Sequence, residues 1–148
     1  MSLKTEDSST QIIKLLEQEA YYYEKLGLFL EEQKEIIEKK TIDRLMEVIQ
    51  KKQKFQQTIS ELDGRIKQYM DGLDDAKREK IINQTKNIRT KIESKILDII
   101  SLENYCEDFI EREKIEIKGK ITHLKHGKNV IKGYSSSVLK NSFISKKL

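Results

Sequence analysis

Apolar residues recur at intervals of three and four along the N-terminal part of the chain, which is the period of one helix face. Two polar residues, Glu19 and Gln33, fall on the same face. The Ser8-Ser9-Thr10 run can supply the hydroxyl group that caps a helix start. The pattern predicts a first helix over about residues 10–39. Its stripe consists of Ile12, Leu15, Leu16, Glu19, Tyr22, Leu26, Phe29, Leu30, Gln33, Ile36 and Ile37.

A second stripe begins after Thr41, which can cap a new helix after a tight turn. From Leu45 its spacing averages about 3.5 residues, as in coiled coils. Lys52 occupies one seam position, so we expect its side chain either to reach solvent or to mark a gap in the helix contact. The pattern predicts a second helix over about residues 42–70, ended by a break at Gly72. Its core positions are Ile42, Leu45, Val48, Phe55, Ile59, Leu62, Ile66 and Tyr69.

The third stripe is much longer and starts near Ala76. No strong stop precedes Gly119, so we predict one helix over about residues 75–126 or longer, roughly 75 Å at 1.5 Å per residue. Two helices of about 30 residues cannot cover that length in a simple antiparallel bundle. An apolar stripe without an intramolecular partner predicts an external partner. We therefore predict partner contacts at Ile99, Leu102, Cys106, Phe109, Ile110, Ile117, Ile121 and Leu124.

These stripes predict an all-α protein, an antiparallel bundle of two shorter helices and one much longer helix with coiled-coil-like packing. The chain contains no proline, the strongest helix breaker. The bundle domain is expected to span residues 1–133. Residues 134–148 lose the long periodicity and are predicted to form a basic C-terminal tail, with a short helix as one option.

Positive charge is concentrated at one end of the chain. Residues 112–148 carry ten basic and two acidic side chains, a net charge of +8, whereas the whole chain has a net charge of +4. Such an end suits nucleic acid, an anionic membrane or an acidic protein surface. No arginine follows Arg112, although nucleic-acid sites favour arginine and exposed aromatic rings. The preferred interpretation is a solvated helix face.

The sequence offers little chemistry. His123 and His126 are the only histidines, and their spacing could place two imidazoles on one helix face for a metal ion. The nearby Lys120, Lys125 and Lys128 favour ordinary surface histidines instead. Cys106 lies on the apolar stripe, where an inert buried thiol is expected. We therefore expect no enzyme activity, no cofactor, no metal site and no small-molecule substrate.

The location is expected to be the cytoplasm. One cysteine cannot form an intramolecular disulfide, and nothing indicates an oxidising compartment. No apolar run approaches the roughly 18 residues that a membrane span requires. No signal peptide is apparent at the start of the sequence.

Two local features of the first helix suggest close contacts. Gly27 interrupts the stripe, and we expect a neighbouring helix to pack closely against it. Three consecutive tyrosines, Tyr21, Tyr22 and Tyr23, place an aromatic ring on each side of the helix. We expect one ring in the core and the others half-buried, with hydroxyl groups in water.

Several segments together resemble the FlgN family of flagellar type III export chaperones. The first helix carries Ile13-Lys14-Leu15-Leu16-Glu17-Gln18-Glu19 and Leu30-Glu31-Glu32-Gln33-Lys34-Glu35-Ile36-Ile37. The second helix opens with Leu45-Met46-Glu47-Val48-Ile49-Gln50-Lys51-Lys52-Gln53. The third contains Glu103-Asn104-Tyr105 and Leu124-Lys125-His126-Gly127-Lys128. The resemblance covers nearly the whole chain.

The resemblance implies a small cytoplasmic chaperone for the hook-associated subunits of the hook–filament junction. Such a protein would hold the C-terminal amphipathic helix of its client, prevent premature assembly and pass the client to the export gate. Three alternatives remain open: a chaperone of the same system for the filament cap, a generic coiled-coil protein that forms a homodimer, and a nucleic-acid binder that uses residues 112–148.

Overall fold

The structure, a computed structural model, describes residues 7–113, and this part is all-helical. Helix α1 spans Ser8–Glu38, and α2 spans Leu45–Asp71 after a short 3-10 helix at Ile42–Arg44. Helix α3 spans Asp75–Gln84, and α4 spans Lys86–Glu113. The all-α prediction is confirmed. The predicted division at residue 133 lies outside the described residues.

The helix boundaries follow from local hydrogen bonds. Asp7 caps α1, because its carboxylate accepts a hydrogen bond from the Thr10 backbone N–H at 2.8 Å. The predicted hydroxyl cap therefore lies one residue too late. At the other end, Lys40 adopts a φ of 58°, and Thr41 makes no side-chain cap, contrary to prediction. The left-handed residue turns the chain sharply, so that α2 runs back antiparallel along α1.

The break after α2 lies where the sequence predicts it. Asp74 caps α3 by accepting a hydrogen bond from the Lys77 N–H at 2.8 Å. Gly72 has a φ of −80°, so the turn does not need a positive φ there. Arg78 donates to the carbonyl oxygens of Met70 and Leu73, which satisfies acceptors at the end of α2.

The prediction of a single long third helix is wrong over the described residues, because Thr85 separates α3 from α4. The Thr85 hydroxyl donates to the Ile81 carbonyl at 2.7 Å and accepts from Arg89 Nε at 3.1 Å. The guanidinium of Arg89 also donates to the Ile82 carbonyl. The backbone N–H groups of Thr85 and Arg89 still donate to the carbonyls of Ile81 and Thr85, each at 3.0 Å, so the side-chain bonds are additional contacts at the junction of the two helices. The structure describes α4 over 28 residues, Lys86–Glu113.

Helix α1 forms the centre of the bundle and packs against both α2 and α4. The larger apolar cluster lies between the helices, and Leu16, Tyr23 and Leu26 of α1 are fully buried in it. A smaller cluster lies near the α1–α2 turn. Its members are Ile36, Ile37, Leu45, Val48, Ile49, Cys106 and Ile110.

The close helix contact predicted at Gly27 is wrong. A Cβ atom built on Gly27 would meet nothing within 4 Å outside its own helix. The residue is half-buried and faces a depression between α1 and α4. Its missing side chain therefore widens this depression and does not serve helix packing.

Candidate partner-binding surface

The predicted partner stripe on α4 is divided between the core and the surface. Leu102 and Phe109 are half-buried and pack at the edges of the two apolar clusters. The fully buried members are Ile99, Cys106 and Ile110. The members that lie outside the described residues are Ile117, Ile121 and Leu124. The described part of the stripe thus leaves only its edge accessible.

The intramolecular partner of α4 does not run out after Leu102, contrary to the argument from helix length. Cys106 and Ile110 pack against residues near the α1–α2 turn, including Ile37 and Leu45. The break at Thr85 divides the predicted long helix into α3 and α4, and Glu113, the last described residue of α4, lies beside Lys40 just after α1. Contact of the stripe with an external partner stays a prediction.

An aromatic edge lies next to the stripe, where α4 passes the end of α1. The rings of Tyr105 and Phe109 stack with centroids 6.0 Å apart. Lys34 lies 5.0 Å from the Tyr105 ring centroid, and Arg112 lies 5.5 Å from that of Phe109. The Tyr105 hydroxyl donates a hydrogen bond to the Glu38 carboxylate, which is the main reason why the pKa of Tyr105 is raised. This edge combines apolar area with cations that favour aromatic contacts.

An open groove continues from this edge along α1 and α4, and we call it the α1–α4 groove. It contains a depression of about 350 Å³ around Gly27 and another of about 510 Å³ around Tyr21. Leu28, on the rim, is 59% exposed. The apolar lining consists of Ala20, Tyr21, Leu28, Ile88, Ile99 and Leu102.

A buried ionic cluster joins all three long helices. Lys52 Nζ lies 3.1 Å from Glu103 Oε1 and donates to Gln33 Oε1 at 2.9 Å. Gln33 Nε2 donates to Glu103 Oε1 at 3.0 Å, which closes the network. The Lys52 side chain is fully buried, so it neither reaches solvent nor marks a gap, contrary to both expectations. Its charge is instead neutralised by a carboxylate from α4.

The burial of Glu103 in the core was not predicted from the sequence. A signal for it was present, because Glu103 follows Ile99 by four residues and precedes Cys106 by three. That spacing puts its side chain on the inner face of the helix. A buried lysine requires a partner of opposite charge. Glu103 is a carboxylate on the inner stripe of α4, which faces the bundle that contains Lys52.

The core also contains a pair of carboxyl groups, Glu19 of α1 and Asp63 of α2. Glu19 is fully buried, and neither carboxylate oxygen has a hydrogen-bond partner among the described residues. Burial raises the pKa of Glu19 well above its ordinary value, and the nearby Asp63 charge raises it further. A carboxyl group in such surroundings favours the protonated form.

The three tyrosines of α1 occupy three different environments, broadly as predicted. Tyr23 is fully buried, Tyr22 is half-buried and Tyr21 is 56% exposed. The stripe assignment was wrong in detail, because Tyr23 and not Tyr22 faces the core. Tyr22 instead contacts Phe55 of α2 with ring centroids 5.5 Å apart, and Phe55 contacts Phe29 at 4.9 Å.

Cys106 has the properties of an inert core residue. Burial raises the pKa of its thiol to about 11, which strongly disfavours the reactive thiolate. Within residues 7–113, no cluster of three or more histidine, cysteine or acidic side chains could hold a metal ion. His123 and His126 lie outside the described residues.

Comparisons with known proteins identify the family. Searches among curated proteins and among solved structures gave no significant match. In the part of the chain that the structure describes, no helix has both the length and the apolarity needed to cross a membrane. Residues 1–138 match the family described as FlgN protein, which agrees with the resemblance found in the sequence. The chain therefore belongs to the FlgN family of flagellar export chaperones.

Proposed function

We propose that this protein is a cytoplasmic chaperone of flagellar type III export that serves hook-associated subunits of the hook–filament junction. It binds the C-terminal amphipathic helix of the subunit, prevents premature assembly and delivers the subunit to the export gate. The main support is membership of the FlgN family over residues 1–138. The described residues are all helical, and the edge of α4 offers half-buried apolar side chains to a partner.

We propose the exposed edge of the α4 stripe as the client surface. Leu102 and Phe109 are half-buried and supply apolar area beside the exposed ring of Tyr105. Leu102 and Phe109 are seven residues apart, and Ile117 and Leu124 repeat that interval after a step of eight, with Ile121 between them. An amphipathic client helix would lay its apolar face along this edge. Ile99, Cys106 and Ile110 would support the surface from inside the bundle.

Calorimetric titration of the chaperone with a purified junction subunit tests this surface. The variants Phe109→Asp and Ile117→Asp place a charge in the contact and should weaken binding at least tenfold, which corresponds to about 1.4 kcal/mol. Leu97→Asp is the matched control, because Leu97 is 60% exposed and lies about 140° around α4 from Leu102.

The surface assignment fails if both variants keep the parental helical content, measured by circular dichroism, and the parental affinity. Binding of the filament-cap subunit in preference to the junction subunit would assign the chaperone to that client instead. A mass that doubles with concentration in light scattering would support the homodimer. These measurements therefore separate the client, its contact surface and the oligomeric state.

A further inference from the structure

The α1 wall of the α1–α4 groove carries a row of carboxylates. Glu17, Glu24 and Glu31 follow one another at intervals of seven residues and line the two depressions. Within residues 7–113, none of the three forms an ion pair. The opposite wall contributes Lys91, Lys95 and Asp98, so the acidic row is the dominant charge of one wall. An occupant with cations along one side would complement it.

The chain itself contains a segment with that pattern. Residues 114–148 carry nine lysines and one acidic residue, a net charge of +8. Lys118, Lys125 and Lys132 recur at intervals of seven, the same spacing as the acidic row. In a helical segment they would follow one side of the stripe formed by Ile117, Ile121, Leu124 and Ile131. The segment thus offers apolar side chains for the groove floor and cations for its acidic wall.

The segment begins within reach of the groove. Lys40 Nζ lies 3.7 Å from Glu113 Oε1, so the last described residue of α4 lies beside the C-terminal end of α1. Leu102 precedes Glu113 by eleven residues, about 17 Å along a helix. Residues 120–148 would span roughly 43 Å as a helix, enough to return from Gly119 past Leu102 and Gly27.

We propose that residues 114–148 of the same molecule dock in the α1–α4 groove as a fourth layer of the bundle, held by lysines against the acidic row. The tether favours this occupant over a second copy, because a short linker gives an effective concentration on the order of millimolar. Covering Leu28 and Tyr21 would also remove two of the most exposed apolar side chains of the described structure from water.

Docking would compete with the proposed client surface, since Ile117, Ile121 and Leu124 belong to both. The inference does not depend on that function. Its test contains no client, so it can succeed or fail independently of the chaperone assignment.

A single tryptophan can report on the groove, because the chain has none of its own. Leu28→Trp in the full chain should show a blue-shifted emission maximum, since the docked segment excludes water from the rim. Leu97→Trp is the matched control, because Leu97 is equally exposed but does not line the groove. Its emission should be that of a solvent-exposed indole.

Charge reversal then identifies the occupant. Lys125→Glu combined with Lys132→Glu should shift the Leu28→Trp emission to the red, and adding Glu24→Lys with Glu31→Lys should restore the blue shift. Lys67→Glu with Lys77→Glu makes the same charge change at exposed positions elsewhere and should leave the emission unchanged. The blue shift should not depend on protein concentration.

Three results would overturn the proposal. The first is equal emission from Leu28→Trp and Leu97→Trp in the full chain. The second is a blue shift that persists after reversal of Lys125 and Lys132. The third is a blue shift that appears only as the concentration rises, which would assign the groove to a second copy.

Discussion

At the scale of single residues, the buried Lys52–Glu103 pair governs stability more than any exposed ion pair. Removing one partner leaves the other charge without compensation in a water-free site. Glu103→Gln should therefore lower the free energy of unfolding by about 3–5 kcal/mol. The exposed Lys39–Glu35 pair, at 2.6 Å, is the control, because solvent screens its charges and Glu35→Gln should cost far less stability than Glu103→Gln. Urea denaturation followed by circular dichroism measures both losses.

Replacing the whole cluster tests whether the cost comes from the stranded charge. Gln33→Leu, Lys52→Met and Glu103→Leu together should recover most of the stability lost in Glu103→Gln, because no polar group is left unpaired. A triple variant that is less stable than Glu103→Gln would mean that the network itself contributes net stability.

Glu19 makes the protein less stable as pH rises, whereas a carboxylate in an ion pair makes it less stable as pH falls. Its pKa is raised in the folded protein, so the unfolded chain releases the proton more readily. The stabilising contribution is present below the ordinary pKa of a glutamate and is lost as pH rises through the raised folded value. Glu19→Gln should therefore flatten the decline in stability as pH rises above the ordinary glutamate pKa of about 4.3.

Urea denaturation at several pH values provides this measurement. Glu35→Gln is the control, because hydrogen bonding to Lys39 lowers the pKa of this exposed carboxyl. Its substitution should not remove the decline toward high pH. A Glu19→Gln variant with the same pH profile as the parent would contradict the assignment of a neutral Glu19 in the core.

At the scale of elements, the short helix α3 depends on its cap. Asp74→Ala removes the acceptor for the Lys77 N–H and should destabilise the protein by about 1 kcal/mol. Asp75→Ala is the neighbouring control, because the Asp75 side chain is exposed and does not cap the helix. Equal losses of thermal stability in the two variants would show that the Asp74 cap contributes little.

Helix periodicity predicted most of the elements, but not what interrupts them. The stripes of α1 and α2 follow directly from three-and-four spacing, and Gly72 with Asp74 marks the second turn. The break at Thr85 was missed because threonine is tolerated within helices. Arg89 donates hydrogen bonds to Thr85 and Ile82 at this break, and such side-chain partners are not visible in a hydrophobic pattern.

The candidate surface was predictable only in part, for a similar reason. Periodicity shows which α4 residues share a face, but it does not show how far α1 extends beside them. Ile110 is buried in the cluster that contains the turn residues Ile37 and Leu45, whereas its neighbour Phe109, about 100° around the helix, is half-buried. The packing of α4 against the α1–α2 turn determines which of its residues remain accessible, and this packing cannot be read from the spacing of apolar residues.

At the scale of the whole molecule, the buried ionic cluster of Gln33, Lys52 and Glu103 connects α1, α2 and α4. Detaching α4 would expose Lys52 and Gln33 together with Ile49. We expect backbone amides around Glu103 in α4 to exchange with solvent at the same slow rate as those around Gln33 in α1. Hydrogen exchange resolved by mass spectrometry measures this. Faster exchange confined to α4 would show that this helix opens on its own.

The position of Glu103 late in the sequence also has a consequence for synthesis on the ribosome. The α1–α2 hairpin emerges first, with Lys52 and its apolar neighbours already facing one side. That side cannot close until residues beyond 103 have left the exit tunnel, since the balancing carboxylate and the covering isoleucines come from α4. The nascent chain therefore presents an open, partly charged apolar face until α4 has emerged.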